Sequence, residues 1–186
     1  MSKLKPWRVI DRSETLTTPV FQVVKHLCVS PKDGLEKSFV TLSAPEWVNV
    51  IPITNDGMVV LVNQFRHGTE EFSLELPGGV CELGQTTLET AKRELMEETG
   101  YSSDDFSLLC SLKPNPALFG NSIHTYVARG AERTGETHFD ENEDLEQTLV
   151  SLAELKAMIL DGRIDHALMV AAIGLFLARE GQAGRP

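Results

Sequence analysis

A chain of 186 residues is long enough for one domain with a full core and leaves room for an added subdomain. Apolar content of 41% and charged content of 24% are ordinary globular values and argue against a disordered chain. A formal charge of -10 argues against a protein whose main task is gripping nucleic acid or an anionic membrane, although divalent cations set between the two let an acidic protein hold an anion.

Cys28, Cys81 and Cys110 are scattered, odd in number and without a C-x-x-C pair, so neither a disulfide framework nor a zinc site is expected. A reducing, cytoplasmic setting is the simplest reading. The stretch Met1 to Trp7 lacks the apolar run of a signal peptide. Ala167 to Ala178 is apolar but too short to span a bilayer, and reads as a buried helix.

The first forty-odd residues alternate as strands do, at Trp7–Ile10, Phe21–Val24 and Ser38–Leu42, with a turn expected at Asp33-Gly34. Val48–Ile53 and Met58–Val62 follow, joined at Asn55-Asp56-Gly57, a hairpin signal. From Thr86 to Thr99 the pattern turns helical. Thr86-x-x-Glu89 has the form of a capping box, Leu88, Ala91 and Leu95 recur on one face, and Gly100 supplies a left-handed stop. Further strands are expected near Phe106–Leu109, Ile123–Val127 and Gln147–Val150, and helices over Leu152–Leu160 and His166–Arg179. Strands and helices mixed in this order predict an α+β sandwich rather than a doubly wound sheet.

The chemistry concentrates in Gly78-Gly79-Val80-Cys81-Glu82-Leu83-Gly84-Gln85 and Arg93-Glu94-Leu95-Met96-Glu97-Glu98-Thr99-Gly100-Tyr101. Helical neighbours lie three and four apart, so Glu94, Glu97 and Glu98 share one arc. Two like charges about 4 Å apart repel by roughly 4 kcal/mol at an effective dielectric of about 20. Arg93 offsets part of this, and hard, oxygen-preferring divalent cations would offset the rest. Alone, the run reads more readily as a solvated acidic helix face, the usual fate of a charge run.

The spacing decides between the two. Gly79, Arg93, Glu94, Leu95, Glu97, Glu98, Gly100 and Tyr101 fall in the register of the Nudix box, and the segment resembles the Nudix hydrolase superfamily. One position departs: the first Glu of the motif is Gln85 here, which keeps a hydrogen bond but not the charge, and Glu82 stands three residues earlier as a partial substitute. Gln64-Phe65-Arg66 and Leu74-Glu75-Leu76-Pro77-Gly78-Gly79 resemble the approach to the box in the ADP-ribose pyrophosphatase and nucleoside diphosphate sugar hydrolase group, and the likeness covers roughly residues 46 to 165.

That resemblance implies a Nudix-type α/β/α sandwich over residues 46–186, with an additional N-terminal β-sheet subdomain over 1–45 that mediates homodimerisation and helps to build the nucleotide pocket. It implies magnesium, with manganese as an alternative, held by Glu94, Glu98, Glu143 and the Gly78 carbonyl. Glu97 and Glu141 take catalytic roles, Glu141 as candidate general base in the acidic stretch 140–146, which by itself reads as a solvated loop. Arg66 would contact the diphosphate through its donor fork, and Pro116 is the proline associated with ADP-ribose-type substrates; a strand-end arginine and a loop proline are the plain alternatives. Trp7 or Phe21 could stack on a base, though packing is the commoner role for either. His67 and His124 read as packing or surface residues.

The expected reaction is metal-dependent hydrolysis of the diphosphate linkage of a nucleoside diphosphate sugar, ADP-ribose or GDP-mannose in type, to a nucleoside monophosphate and a sugar phosphate. Gln85 motivates an alternative, a Nudix-fold nucleotide-binding or regulatory module without turnover. Another nucleoside diphosphate derivative is the alternative within the enzyme class. No Gly-x-Ser-x-Gly elbow, P-loop or Cys/His nucleophile pair is present, so covalent catalysis is not expected.

Overall fold

The computed structural model describes residues 4–138 and 144–183. The chain divides into two compact units, one made of Met1–Pro45 with Lys113–Ser122, the other of Glu46–Leu112 with Ile123–Pro186.

In the first unit, β1 (Arg8–Thr17), β2 (Gln22–Val29) and β3 (Glu36–Ser43) form an antiparallel sheet in the order β1-β2-β3. The expected turn closes through the Ser30 amide to the Leu35 carbonyl, with Gly34 at φ 73°. β1 runs well past the apolar Trp7–Ile10 segment, and two register shifts against β2 accommodate its polar half. The Trp7 ring meets Phe39 edge-on at 5.1 Å and lies under the Lys37 ammonium, so Trp7 has a packing role. The segment 113–122 joins the unit at β3, where the Leu42 amide donates to the Leu118 carbonyl. Pro116 sits in a turn organised by Asn115, whose side-chain Oδ1 accepts from the Ala117 amide and whose carbonyl accepts from Leu118 and Phe119.

The second unit is an α/β/α sandwich around a mixed sheet. Its strands are β4 (Trp47–Thr54), β5 (Met58–Arg66), β6 (Glu71–Glu75), β7 (Tyr101–Ser102), β8 (Asp105–Leu112), β9 (Ile123–Arg133) and β10 (Leu145–Ser151). The path runs β10-β5-β4-β9-β7, with β6 on β5 and β8 on β9. β4 is parallel to β9 along its length, whereas β4 and β5 share a single pair, Ile53 with Val59, next to their hairpin. Beyond that pair the two strands part, and residues 71–80 run into the fork. β6 pairs with β5 from Glu71 to Glu75. The chain then crosses to β4, where Val50 and Val48 donate to the carbonyls of Pro77 and Gly79 at 2.8 and 2.9 Å.

Alternation along the strands sorts the core into two layers. Val48 and Val50 of β4 and Tyr126 and Ala128 of β9 face helix α1 (Thr87–Thr99), which buries Ala91 and Leu95 against them. Ile51, Ile53, Leu61 and Val127 face the opposite way, onto α2 (Leu152–Leu160) and α3 (Ala167–Ala183) with Leu155, Ile173 and Phe176. From α3 the Met169 thioether receives the Leu76 amide at 3.3 Å and the Asn49 side-chain amide at 4.0 Å. No helix of the described residues is long and apolar enough to cross a membrane.

Leu88, expected on the buried face of α1, is instead exposed; Thr90, Glu98 and Thr99 complete the buried strip. β6 was not expected either: Glu71-Phe72-Ser73-Leu74-Glu75 alternates as a strand does, but five residues with two apolar side chains are too short a signal to stand out.

The fork admits no side chain at Gly78. A Cβ there would overlap the Val48 carbonyl and come within 2.7 Å of Asn49 Cα, both rigid backbone. Gly78→Ala is therefore expected to lose about 1–3 kcal/mol in urea denaturation. Gly68→Ala, where a Cβ meets nothing within 4 Å, should stay within about 0.5 kcal/mol of the parent.

Candidate active site

Helix α1 is fixed at both ends. Thr86 caps the start, its side chain accepting from the Glu89 amide while the Glu89 carboxylate takes the Thr86 amide at 2.8 Å. At the far end Gly100 turns left-handed at φ 70°, and its amide donates to the Met96 carbonyl. The carbonyls of the last turn, orphaned by helix geometry, also find donors: His138 N–H reaches Glu97 and the Gln147 side chain reaches Glu98. Among the described residues these contacts hold the turn that carries Glu94, Glu97 and Glu98.

The three carboxylates sit in graded surroundings. Their side chains are 13% exposed at Glu94 and 38% at Glu97, while Glu98 as a residue is only 3% exposed. Glu98 Oε2 accepts from the Gly78 amide at 2.8 Å. The Pro77 and Gly79 carbonyls on either side serve β4. Gly79 packs so closely on Glu94 that a Cβ would stand 2.6 Å from its carboxyl carbon. The Gly-Gly dipeptide thus lies directly against two of the acids.

Arg93 is the cation of the cluster. Its Nη1 donates to Glu97 at 2.6 Å and its Nη2 to Glu94 at 2.9 Å, with Glu82 at 3.9 Å. Burial disfavours its charge, but Glu94 and Glu97 outweigh that and hold its pKa above the ordinary value. Among the described residues no three acidic, histidine or cysteine side chains already converge as a metal cluster. The donors nonetheless suit a hard cation: they are carboxylate oxygens, two of them on largely buried side chains.

Arg66, at the end of β5, is joined to Glu75 by two bonds of 2.7 Å, from Nε and Nη2. Glu75 is 1% exposed and was not expected from the sequence as a site residue; the available signal was an acid inside the apolar run Leu74-Glu75-Leu76. Also unexpected is a relay in which His124 bonds Ser111 through Nδ1 at 2.8 Å and Glu46 through Nε2 at 2.9 Å. That relay gives His124 the satisfied packing role expected of it. His67 lies against Phe65. Pro116 belongs to the other unit, and Glu141 and Glu143 lie outside the described residues. Burial pushes the Cys81 thiol up, so Cys81 stays protonated and is a poor nucleophile.

The family model for the NUDIX domain matches residues 45–173. The chain belongs to the Nudix family and is a Nudix pyrophosphohydrolase. The crystal structure of an ADP compounds hydrolase superposes with a TM-score of 0.86 at 25% identity, covering 100% of both chains. A methanol dehydrogenase activator of Bacillus methanolicus is 35% identical over 69% of this chain and 70% of its own. The ADP compounds hydrolase NudE of Escherichia coli is 31% identical over 75% and 73%, and an ADP-ribose pyrophosphatase of Bacillus subtilis 28% over 73% and 74%. Nudix hydrolases generally use divalent metal ions.

The Arg66–Glu75 pair gives a pH signature. Burial raises the Glu75 carboxyl, but the hydrogen bond and charge of Arg66 prevail and leave its pKa below the ordinary carboxylate value. A depressed folded pKa contributes stability that is complete above the unfolded value and is lost as pH falls through the folded one. Glu75→Gln is expected to cost about 1–3 kcal/mol at pH 7. In urea titrations the gap to the parent should close as pH falls below about 4.

Proposed function

We propose that the protein cleaves the diphosphate bridge of nucleoside diphosphate sugars, with ADP-ribose-like compounds the leading class and GDP-mannose the next, using magnesium or manganese. The observation that carries this reading is the seating of Glu98 and Glu94 against the Gly78-Gly79 pair, where largely buried carboxylates gather beside Arg93. The relatives that act on ADP compounds and ADP-ribose, and a GDP-mannose pyrophosphatase of Yersinia enterocolitica 32% identical over 59% of this chain, support the substrate class.

Glu94, Glu98 and the Gly78 carbonyl hold the cation in this reading, with Glu143 as a further ligand and Glu97 on the outer side of the cluster. A divalent cation supplies charge to the diphosphate oxygens and lowers the pKa of water. Glu141 takes the proton of the attacking water. Arg66, its guanidinium plane set by Glu75, contacts the diphosphate. Pro116 is kept as a substrate-binding candidate on the resemblance alone, as the proline associated with ADP-ribose-type substrates.

A second reading, a nucleotide-binding or regulatory module without turnover, is motivated by Gln85, the departure from the motif. The two separate in one assay: ADP-ribose and a panel of sugar nucleotides are incubated with magnesium or manganese, and phosphate release is followed through a phosphatase. Turnover is expected, and binding without it would leave the regulatory reading standing. Glu141→Gln should lower kcat by about 10²–10⁴-fold with substrate binding nearly intact. Glu98→Gln should lower kcat by at least about 10²-fold and also weaken metal binding in a manganese titration.

The N-terminal sheet is further proposed as a homodimer surface. Val9, Ile10, Leu16, Phe39 and Val40 are each exposed on its strands, which leaves apolar side chains on the surface of the sheet for a second copy to cover. Light scattering is expected to return twice the 20.5 kDa chain mass, and a single-chain mass would remove the proposal.

A further inference from the structure

Gln85 occupies the one place where the chain departs from its motif, and its surroundings are specific. Its Oε1 receives the hydroxyl of Thr90, a fully buried residue of α1, at 3.1 Å, a proton that Thr90 shares with the Thr86 carbonyl at 3.2 Å. Its Nε2 donates to Glu82 Oε2 at 3.2 Å. This orientation of the amide is the favourable one, because the flipped group would set its oxygen against the Glu82 carboxylate. The other oxygen of Glu82 lies 3.9 Å from Arg93 Nη2, the same nitrogen that binds Glu94. A continuous chain of contacts therefore runs from Thr90 through Gln85 and Glu82 to Arg93, and from there to Glu94 and Glu97.

We propose that Glu82 and Gln85 act as one positioning unit for Arg93, with residue 82 supplying the acid that the motif carries at residue 85. Without a strap, the Glu82 side chain, 67% exposed, would gain little by staying near Arg93, because an exposed pair held only by its charges is worth about 0–1 kcal/mol and is opposed by side-chain entropy. Gln85, anchored on a buried hydroxyl, confines it. A glutamate at 85 would instead face Glu82 across about the same 3.2 Å as a like charge, so the two positions accept one acid and one amide between them. With Glu82 neutralised, the acidic partners left to Arg93 among the described residues are Glu94 and Glu97. It then binds them more tightly and competes with an incoming cation.

This inference rests on Glu94 and Glu98 forming a cation site, and its test separates the two. Binding of manganese alone to the full chain is measured by electron paramagnetic resonance, without nucleotide. Glu82→Gln is expected to weaken binding about tenfold, the lower end for a residue acting through a ligand's neighbour. The exchanged pair, Glu82→Gln with Gln85→Glu, restores one acid and one amide and should return affinity to within about twofold of the parent. Equal affinity in parent and Glu82→Gln, or an exchanged pair as weak as the single variant, overturns the inference and leaves the cation site standing. A parent chain that shows no manganese binding sensitive to Glu98→Gln overturns both. Thermal midpoints within about 2 °C across the set are expected, since Glu82 is a surface side chain whose replacement should cost under about 0.5 kcal/mol. Rescue by exchange is a result that a merely structural role would not produce.

Discussion

The separation of β4 from β5 is the constraint on which the site depends. Two neighbouring strands that part after one residue pair leave unpaired backbone groups on both sides of a gap, and buried amides and carbonyls require partners. Residues 71–80 provide them, first to β5 and then to β4. The strand that fills the gap must lie against the backbone of β4 on one side and the carboxylates of α1 on the other, and only residues without a side chain fit there. Gly78 and Gly79 are the answer to that packing problem. The same closeness lets the Gly78 amide reach Glu98.

This arrangement explains why adjacent glutamates on one helix are not equivalent. Glu98 lies on the buried strip and is satisfied by backbone, Glu94 is partly covered by the glycines, and Glu97 reaches outward to Arg93. A buried anion without a partner is costly, whereas one that accepts a backbone hydrogen bond and has a guanidinium in its cluster is tolerable. Grading of this kind lets one helical turn provide carboxylates of different character.

Much of the fold was legible in the sequence because its signals are local. The Thr86 capping box, the Gly100 stop and the Asp56-Gly57 hairpin each act within a few residues, and each appears where the pattern put it. β6 and the fork were not legible, since a five-residue strand of mixed polarity takes its shape from the neighbours it joins. For the site, the spacing of Glu94, Glu97 and Glu98 was readable, but their separate burial depends on the sheet beneath α1. Glu75 and the Ser111–His124–Glu46 relay escaped notice because their members meet only through strand pairing. Leu88 misled because helical periodicity defines a face but not which of its members the packing covers.

Met169 shows how far these dependencies reach. Its sulfur lone pairs answer the amide of Leu76, the residue that leads into Pro77-Gly78-Gly79, from a helix on the far layer of the sandwich. In volume a leucine would replace it well, yet a hydrocarbon offers that amide nothing to bond with. Thioether here does a carbonyl's job, so a swap that looks neutral by size would strand a backbone donor one step from the glycine turn.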